Sequence, residues 1–282
     1  MKNSQNHIYI KAKDLLVTGE EFSLLYDQER EMLITSPQPA IENLSKYYES
    51  EEYISHTDSK KGLVSFLYQI VKRSALQKKL NLIASLNNGT GNLLDIGAGT
   101  GDFLKQAKSK SWKTAGVEPN ESARNLAEEK GIILKENISD FEGKKFDVIT
   151  LWHVLEHLPN LEKTISEIEK LLKPGGILII AVPNYKSFDA KHYKSNWAAF
   201  DVPRHLWHFS RKSMKVLFSK DMELEKIKPM IFDSYYVSLL SEKNKTGKQN
   251  LIKAFIIGFR SNFSAWTTRE YSSLIYCFKK AG

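Results

Sequence analysis

The chain has 282 residues, 41% hydrophobic and 26% charged, with a formal net charge of +8. This composition excludes a disordered chain, and no run of ~18 apolar residues marks a membrane span. The single cysteine, Cys277, excludes an internal disulfide and fits a reducing cytoplasm, while lysines spread along the chain read as a solvated surface.

Residues 1 to about 85 read as an N-terminal segment with no secretory apolar region at its start. Residues 42–61 are polar and tyrosine-rich. Residues 60–80 read as a helix, with Leu63, Phe66, Leu67, Ile70 and Val71 spaced for one apolar face.

Residues 93–104, LLDIGAGTGDFL, read as a buried strand, a glycine loop and a helix start. Gly97, Gly99 and Gly101 permit a tight turn and let a ligand lie on the backbone, and Asp102 suits the first helical turn. A dinucleotide site would carry a glycine or alanine where Asp102 stands, and that carboxylate would compete with a pyrophosphate. Residues 114–117 read as a second strand ending in Glu118, placed to accept two ribose hydroxyls, and Pro119 and Asn120 break it. A helix over 121–130, a weak third strand over 132–135 and a fourth strand over 146–151 follow. Residues 171–176 read as a helix end and turn, and 177–182 as a fifth strand. A helix over 213–220 and strands over 223–229 and 272–278 complete the pattern.

The D-x-G-x-G-x-G loop at 95–101, with the runs FDVITLWHVLEHLPN and LLKPGGILIIAVPN, resembles the motifs of class I S-adenosylmethionine (SAM) methyltransferases. The match covers roughly residues 92–184. It implies an α/β, Rossmann-like, seven-stranded mostly parallel sheet with helices on both faces and the last strand antiparallel, plus an N-terminal extension. Residues 86–282 would be the methyltransferase domain, with a helical insert at about 235–265. SAM is the implied cofactor. Gly97, Ala98, Gly99 and Gly101 would meet its methionine part, and Asp95 would orient the loop or the ammonium. Glu118 and Pro119 would flank the ribose, Asn137 and Ile138 the adenine edge, and Trp152 the methionine. Residues 14–39 resemble a small zinc-ribbon module, but no cysteine stands near Asp27 or Arg30, so no zinc site carries over. Tyr47, Tyr48, Tyr53 and His56 are lid candidates.

Five of the seven histidines lie between His153 and His208. Methyl transfer to a hydroxyl or amine gains from a base, and histidine suits that work. His153, His205 and His208 are the catalytic candidates. Trp197, Phe200, Trp207 and Phe209 read as flat walls for a partly apolar small-molecule acceptor, methylated at oxygen. The H-x-x-E-H spacing at 153–157 matches a zinc-protease pattern, yet Pro159 leaves no room for the helix such ligands need. Some quinone-pathway O-methyltransferases carry E-x-x-E-H here and bind a divalent ion. With histidine in the first place, no metal is assigned. Residues 251–260 are apolar with basic edges and read as a pocket cover, a homodimer face, a membrane-surface helix or plain packing. No nucleic acid is expected. An RNA or protein methyltransferase, a catalytically silent SAM-binding protein and an NAD oxidoreductase are the alternatives.

Overall fold

The computed structural model describes residues 7–48 and 63–282. Strands β1 (His7–Lys13), β2 (Glu21–Asp27) and β3 (Met32–Ser36) form an antiparallel meander. Where a ribbon would carry its cysteine pair, the Asp27 carboxylate accepts from the Arg30 amide at 3.0 Å and closes the turn. A fourth strand comes from far along the chain: β8 (Trp207–His208) pairs with β3, Leu33 opposite His208.

The main sheet holds β4 (Asn92–Ile96), β5 (Lys113–Val117), β6 (Phe146–Trp152), β7 (Leu172–Pro183), β9 (Met222–Pro229) and β10 (Ser273–Lys280). Its order is β5-β4-β6-β7-β10-β9, and only β10 runs antiparallel to its neighbours. The sheet is therefore six-stranded, not seven-stranded. The expected strand at 132–135 reduces to one parallel bridge, Val117 to Lys135. Ile132 and Leu134 are buried, but Ile133 is 78% exposed, so this edge segment packs on one face without extending a ladder.

Apolar residues on both faces of each central strand explain why the sheet is covered twice. Leu94, Ile149, Leu178, Ile180, Tyr276 and Phe278 point to one face, which α4 (Leu161–Leu171) and α6 (Arg211–Val216) cover. Leu93, Val148, Ile177, Ile179 and Cys277 point to the other, covered by α1 (Leu63–Leu86) and α2 (Asp102–Lys108). Each such buried aliphatic side chain contributes about 1.5–3 kcal/mol. The helix expected at 60–80 is thus present and longer. The side chains of Leu63, Phe66, Leu67, Ile70 and Val71 lie outside the described residues, as do Tyr53 and His56.

Helix α3 (Glu121–Glu128) follows β5, and α5 (Phe188–Tyr193) follows β7. The insert is a helical hairpin, α7 (Asp233–Thr246) and α8 (Leu251–Thr268). Gly258 lets the two helices approach: a Cβ there would lie 2.7 Å from the Tyr235 ring. Buried Asp189 on α5 accepts from Trp197 Nε1 at 2.8 Å, Ser261 Oγ at 2.6 Å and Ser272 Oγ at 2.7 Å, tying α5 to α8 and to the start of β10.

Candidate active site

Strand order reverses between β4 and β6, so the loops leaving these two strands open toward each other. The first is the glycine loop. Gly97 N and Ala98 N both donate to Val117 O, at 2.8 and 2.9 Å, and Gly101 N donates to Ala98 O at 3.0 Å. All three glycines have positive φ. A Cβ on Gly97 would stand 2.4 Å from Val154 Cγ2, whereas one on Gly99 would meet nothing within 4 Å. The loop therefore packs on the β6 loop at Gly97 and presents open backbone at Gly99. Asp102 opens α2 and, with Thr100, is held by Lys130 Nζ at 2.8–2.9 Å.

Glu118 stands at the same edge. Its Oε2 accepts from Gly99 N and its Oε1 from Asn120 N, both at 2.9 Å. Pro119 is exposed beside it. Asn137 lies across the edge from β5, its amide donating to Asp140 at 3.1 Å, and Ile138 packs against the core. Asp95 is buried beneath the loop and accepts from Thr150 Oγ1 at 2.5 Å. Burial pushes its pKa up to about 7, against the pull of Thr150 and Lys79.

Trp152 ends β6, and its indole Nε1 is buried with no partner among the described residues. Lys79 Nζ lies 4.2 Å from that ring's centroid. Burial lowers the Lys79 pKa, while Asp95 and Asp233 hold it up. Sequence reasoning missed Lys79, because one lysine on a helix gives no pattern. Taken together, open backbone at Gly99, paired carboxylate oxygens at Glu118 and an orphan indole donor fit an adenosyl cofactor with a polar methionine tail.

The second loop carries the histidines. His153 has a φ of 59°, the left-handed region. Its Nε2 lies 3.2 Å from Asp233 Oδ2 and its Nδ1 3.4 Å from Glu156 Oε1. Burial would lower its pKa, but the two carboxylates outweigh that and push it up to about 10. His153 is thus an imidazolium at neutral pH. Asp233, the partner that sets this charge, is 80 residues away in the chain and gave no local signal.

Glu156 is 1% exposed, and neither oxygen accepts a hydrogen bond among the described residues. Burial raises its pKa, but His153, then His205 and His157, bring it below the usual range. His157 Nδ1 lies 3.1 Å from both the Arg204 carbonyl and the Tyr48 hydroxyl. His205 Nδ1 lies 2.9 Å from the Ala199 carbonyl. A carbonyl only accepts, so each Nδ1 carries the proton and each Nε2 is left free to accept. Burial, then His205, pushes the His157 pKa down to about 4. Glu156, His157 and His205 offer ligand atoms within 4.8 Å of one another. Two imidazoles oriented by backbone carbonyls, with a buried carboxylate between them and His153, suit a zinc-type cation better than magnesium. The sequence pattern alone assigned no metal here.

His208 sits elsewhere. Thr35 Oγ1 spends its proton on His205 O at 2.6 Å, so His208 Nε2 donates to Thr35 at 3.1 Å. It is buried in the seam between β3 and β8. Trp197, Phe200 and Phe209 are each 2% exposed or less and form core rather than open wall. Only Trp207 is half-buried, donating to Leu158 O at 2.8 Å. Arg204 binds Asp14 at 2.9 Å, Asp201 at 2.7 Å and the Tyr47 carbonyl at 2.8 Å. Of the lid candidates, Tyr47 is buried on Glu20 and Tyr48 reaches His157.

A family model described as a methyltransferase domain matches residues 68–227. An uncharacterized protein of Methanocaldococcus jannaschii is 36% identical over 37% of this chain and 50% of its own. The ubiquinone biosynthesis O-methyltransferase of Actinobacillus pleuropneumoniae is 35% identical over 38% of this chain and 52% of its own. The chain thus spans about half the length of these curated relatives. Among solved structures, the plantazolicin methyltransferase bound to SAH is 16% identical, with a TM-score of 0.49. That alignment covers 80% of this chain and 92% of the other.

Proposed function

Because the chain belongs to the SAM-dependent methyltransferase family, we propose that it transfers the methyl group of SAM to an oxygen of a small-molecule acceptor. SAM is the cofactor, and when bound it supplies a methyl already activated by a sulfonium. Glu118 would exchange its loop amides for the ribose hydroxyls. Gly97, Ala98, Gly99 and Gly101 would shape the methionine seat, with Asp95 and Lys79 beneath it as a carboxylate and an amine of adjustable charge. Trp152 would donate its orphan Nε1, and Pro119, Asn137 and Ile138 would border the adenine.

The observation that carries the oxygen-acceptor reading is the Glu156–His157–His205 group, two of its members on the β6 loop that Gly97 packs against and His205 from the segment before β8. His205 Nε2 would take the acceptor's proton, Glu156 would stabilise the resulting imidazolium, and His153 would offer positive charge to the developing oxyanion. The naming of relatives as O-methyltransferases supports the same atom. His208 enters the proposal only through its contact with Thr35. A divalent cation on the same three donors would supply Lewis acidity at that oxygen instead. Equilibrium dialysis against zinc, with Glu156→Gln as control, separates the two. The free, buried Cys277 supports a cytoplasmic setting.

Turnover of phenolic acceptors with methyl-labelled SAM tests the proposal. His205→Ala is expected to lower kcat about 100- to 10,000-fold. Full turnover in His205→Ala would remove the histidine base.

A further inference from the structure

Helix α8 is inverted relative to an ordinary surface helix. The stripe it packs inward is Ala254, Ile257, Gly258, Ser261 and Ala265, mostly small side chains. The stripe it turns outward is large and apolar: Ile252, Phe255, Ile256, Phe259, Phe263 and Trp266 are 49–75% exposed. Their positions fall on one side of the helix, so they form a continuous band rather than scattered residues.

Charge along the helix and the turn before it is basic, between Glu242 and Glu270. Residues 243–269 contain six lysines and arginines and no aspartate or glutamate. Lys245, Lys248 and Lys253 are exposed at the N-terminal end of the helix and Arg269 at its end. An apolar groove of about 470 Å³ between α7 and α8, lined by Phe232, Tyr235, Leu239, Leu251 and Phe255, opens at the same end. Asp233, which pairs with His153, follows Phe232 directly. The band therefore continues toward the candidate site.

We propose that α8 docks the enzyme on an anionic lipid bilayer, with its aromatic band among the headgroups and its lysines on lipid phosphates. A basic helix that is too polar to span but apolar on one face lies in the interface, and no described helix is long and apolar enough to cross a membrane. Two copies of the same face would oppose like charges, which disfavours self-association. An anionic surface complements both the band and its rim. The proposal goes beyond methyl transfer and does not depend on it.

Vesicle co-sedimentation tests it, using phosphatidylcholine vesicles with and without about one third phosphatidylglycerol. The wild-type chain is expected to bind the anionic vesicles at least tenfold more tightly than the neutral ones, with weaker binding at high salt. Phe259→Glu with Phe263→Glu should abolish binding, and Lys245→Glu with Lys248→Glu should weaken it at least tenfold. The second pair is exposed, Lys245 in the last turn of α7 and Lys248 in the turn after it, and keeps the test standing if the first fails to fold. Equal binding to both vesicles, no binding by wild type, or undiminished binding by the lysine pair overturns the proposal. So does a concentration-dependent dimer that Phe259→Glu dissolves while vesicles are ignored. SAM affinity should be unchanged in each variant, which separates this outcome from the fate of the methyltransferase proposal.

Discussion

Gly97 and Gly99 differ in what a methyl group would meet. At Gly97 it would collide with Val154 at 2.4 Å as well as strain a φ of +71°. Left-handed strain of ~1–2 kcal/mol and overpacking of ~1–3 kcal/mol then add. At Gly99 only the strain applies, because the space is open. Gly97→Ala is therefore expected to lower the melting temperature more, while Gly99→Ala weakens SAM binding more than it lowers stability. Calorimetric SAM titration beside thermal unfolding checks this; wild-type affinity in Gly99→Ala would contradict it.

His153 makes a pH-dependent statement of its own. Its folded pKa of about 10 lies above the unfolded value of ~6.5, so the fold binds that proton more tightly. The stabilisation is complete below about pH 6.5 and is lost as pH rises toward 10. Asp233→Asn should lower the urea midpoint at pH 7, and the gap to wild type should close by about pH 10. A gap that stays constant across that range would mean that the pair does not set the charge. None of this was legible in the sequence. His153 stood out, but the carboxylate that holds it belongs to a distant helix, and periodicity carries no such contact.

At the scale of elements, one side chain fastens the start of the small sheet to the segment that leads into its last strand. Arg204 is 1% exposed and ties the β1–β2 turn, through Asp14, to the 201–204 turn and the Tyr47 carbonyl. Removing one partner of a buried pair leaves an uncompensated charge, at a cost of about 3–5 kcal/mol. Arg204→Ala is expected to lower stability by that amount in urea unfolding, and a change under 1 kcal/mol would contradict the fastening role. The segment around Arg204 shows the limit of local pattern. NWAAFDVPRHLWHFS has the composition of a ligand pocket, yet Trp197 and Phe200 fill the core under the small sheet and Phe209 joins the core of the main one. Aromatic walls and aromatic cores are the same residues; only the partner, here β3 through Leu33 and Ile34, tells them apart. The strands of the main sheet were legible because their apolar runs are continuous and bounded by glycine and proline. The edge strand at 132–135 was not, because two buried residues in alternation fit a bridge as well as a ladder.

At the scale of the whole molecule, the parts meet at one edge of the sheet. The glycine loop, Glu118 and the histidine loop come from three βα connections around the strand-order reversal, and α7 and α1 supply Asp233 and Lys79 from outside it. The motifs fixed the edge in advance, since the loop and its ribose carboxylate lie within one βαβ unit. The rest of the site depends on how the insert folds back, which no motif encodes. The central claim is that this edge binds SAM through Glu118, and calorimetric titration of wild type and Glu118→Ala with SAM, and with NADH as control, tests it most directly. Losing a charged hydrogen bond of ~1.5–3 kcal/mol should weaken SAM binding about 10- to 100-fold in the variant, with NADH bound by neither protein. Equal SAM affinity in the two proteins, or binding of NADH in place of SAM, would contradict the account.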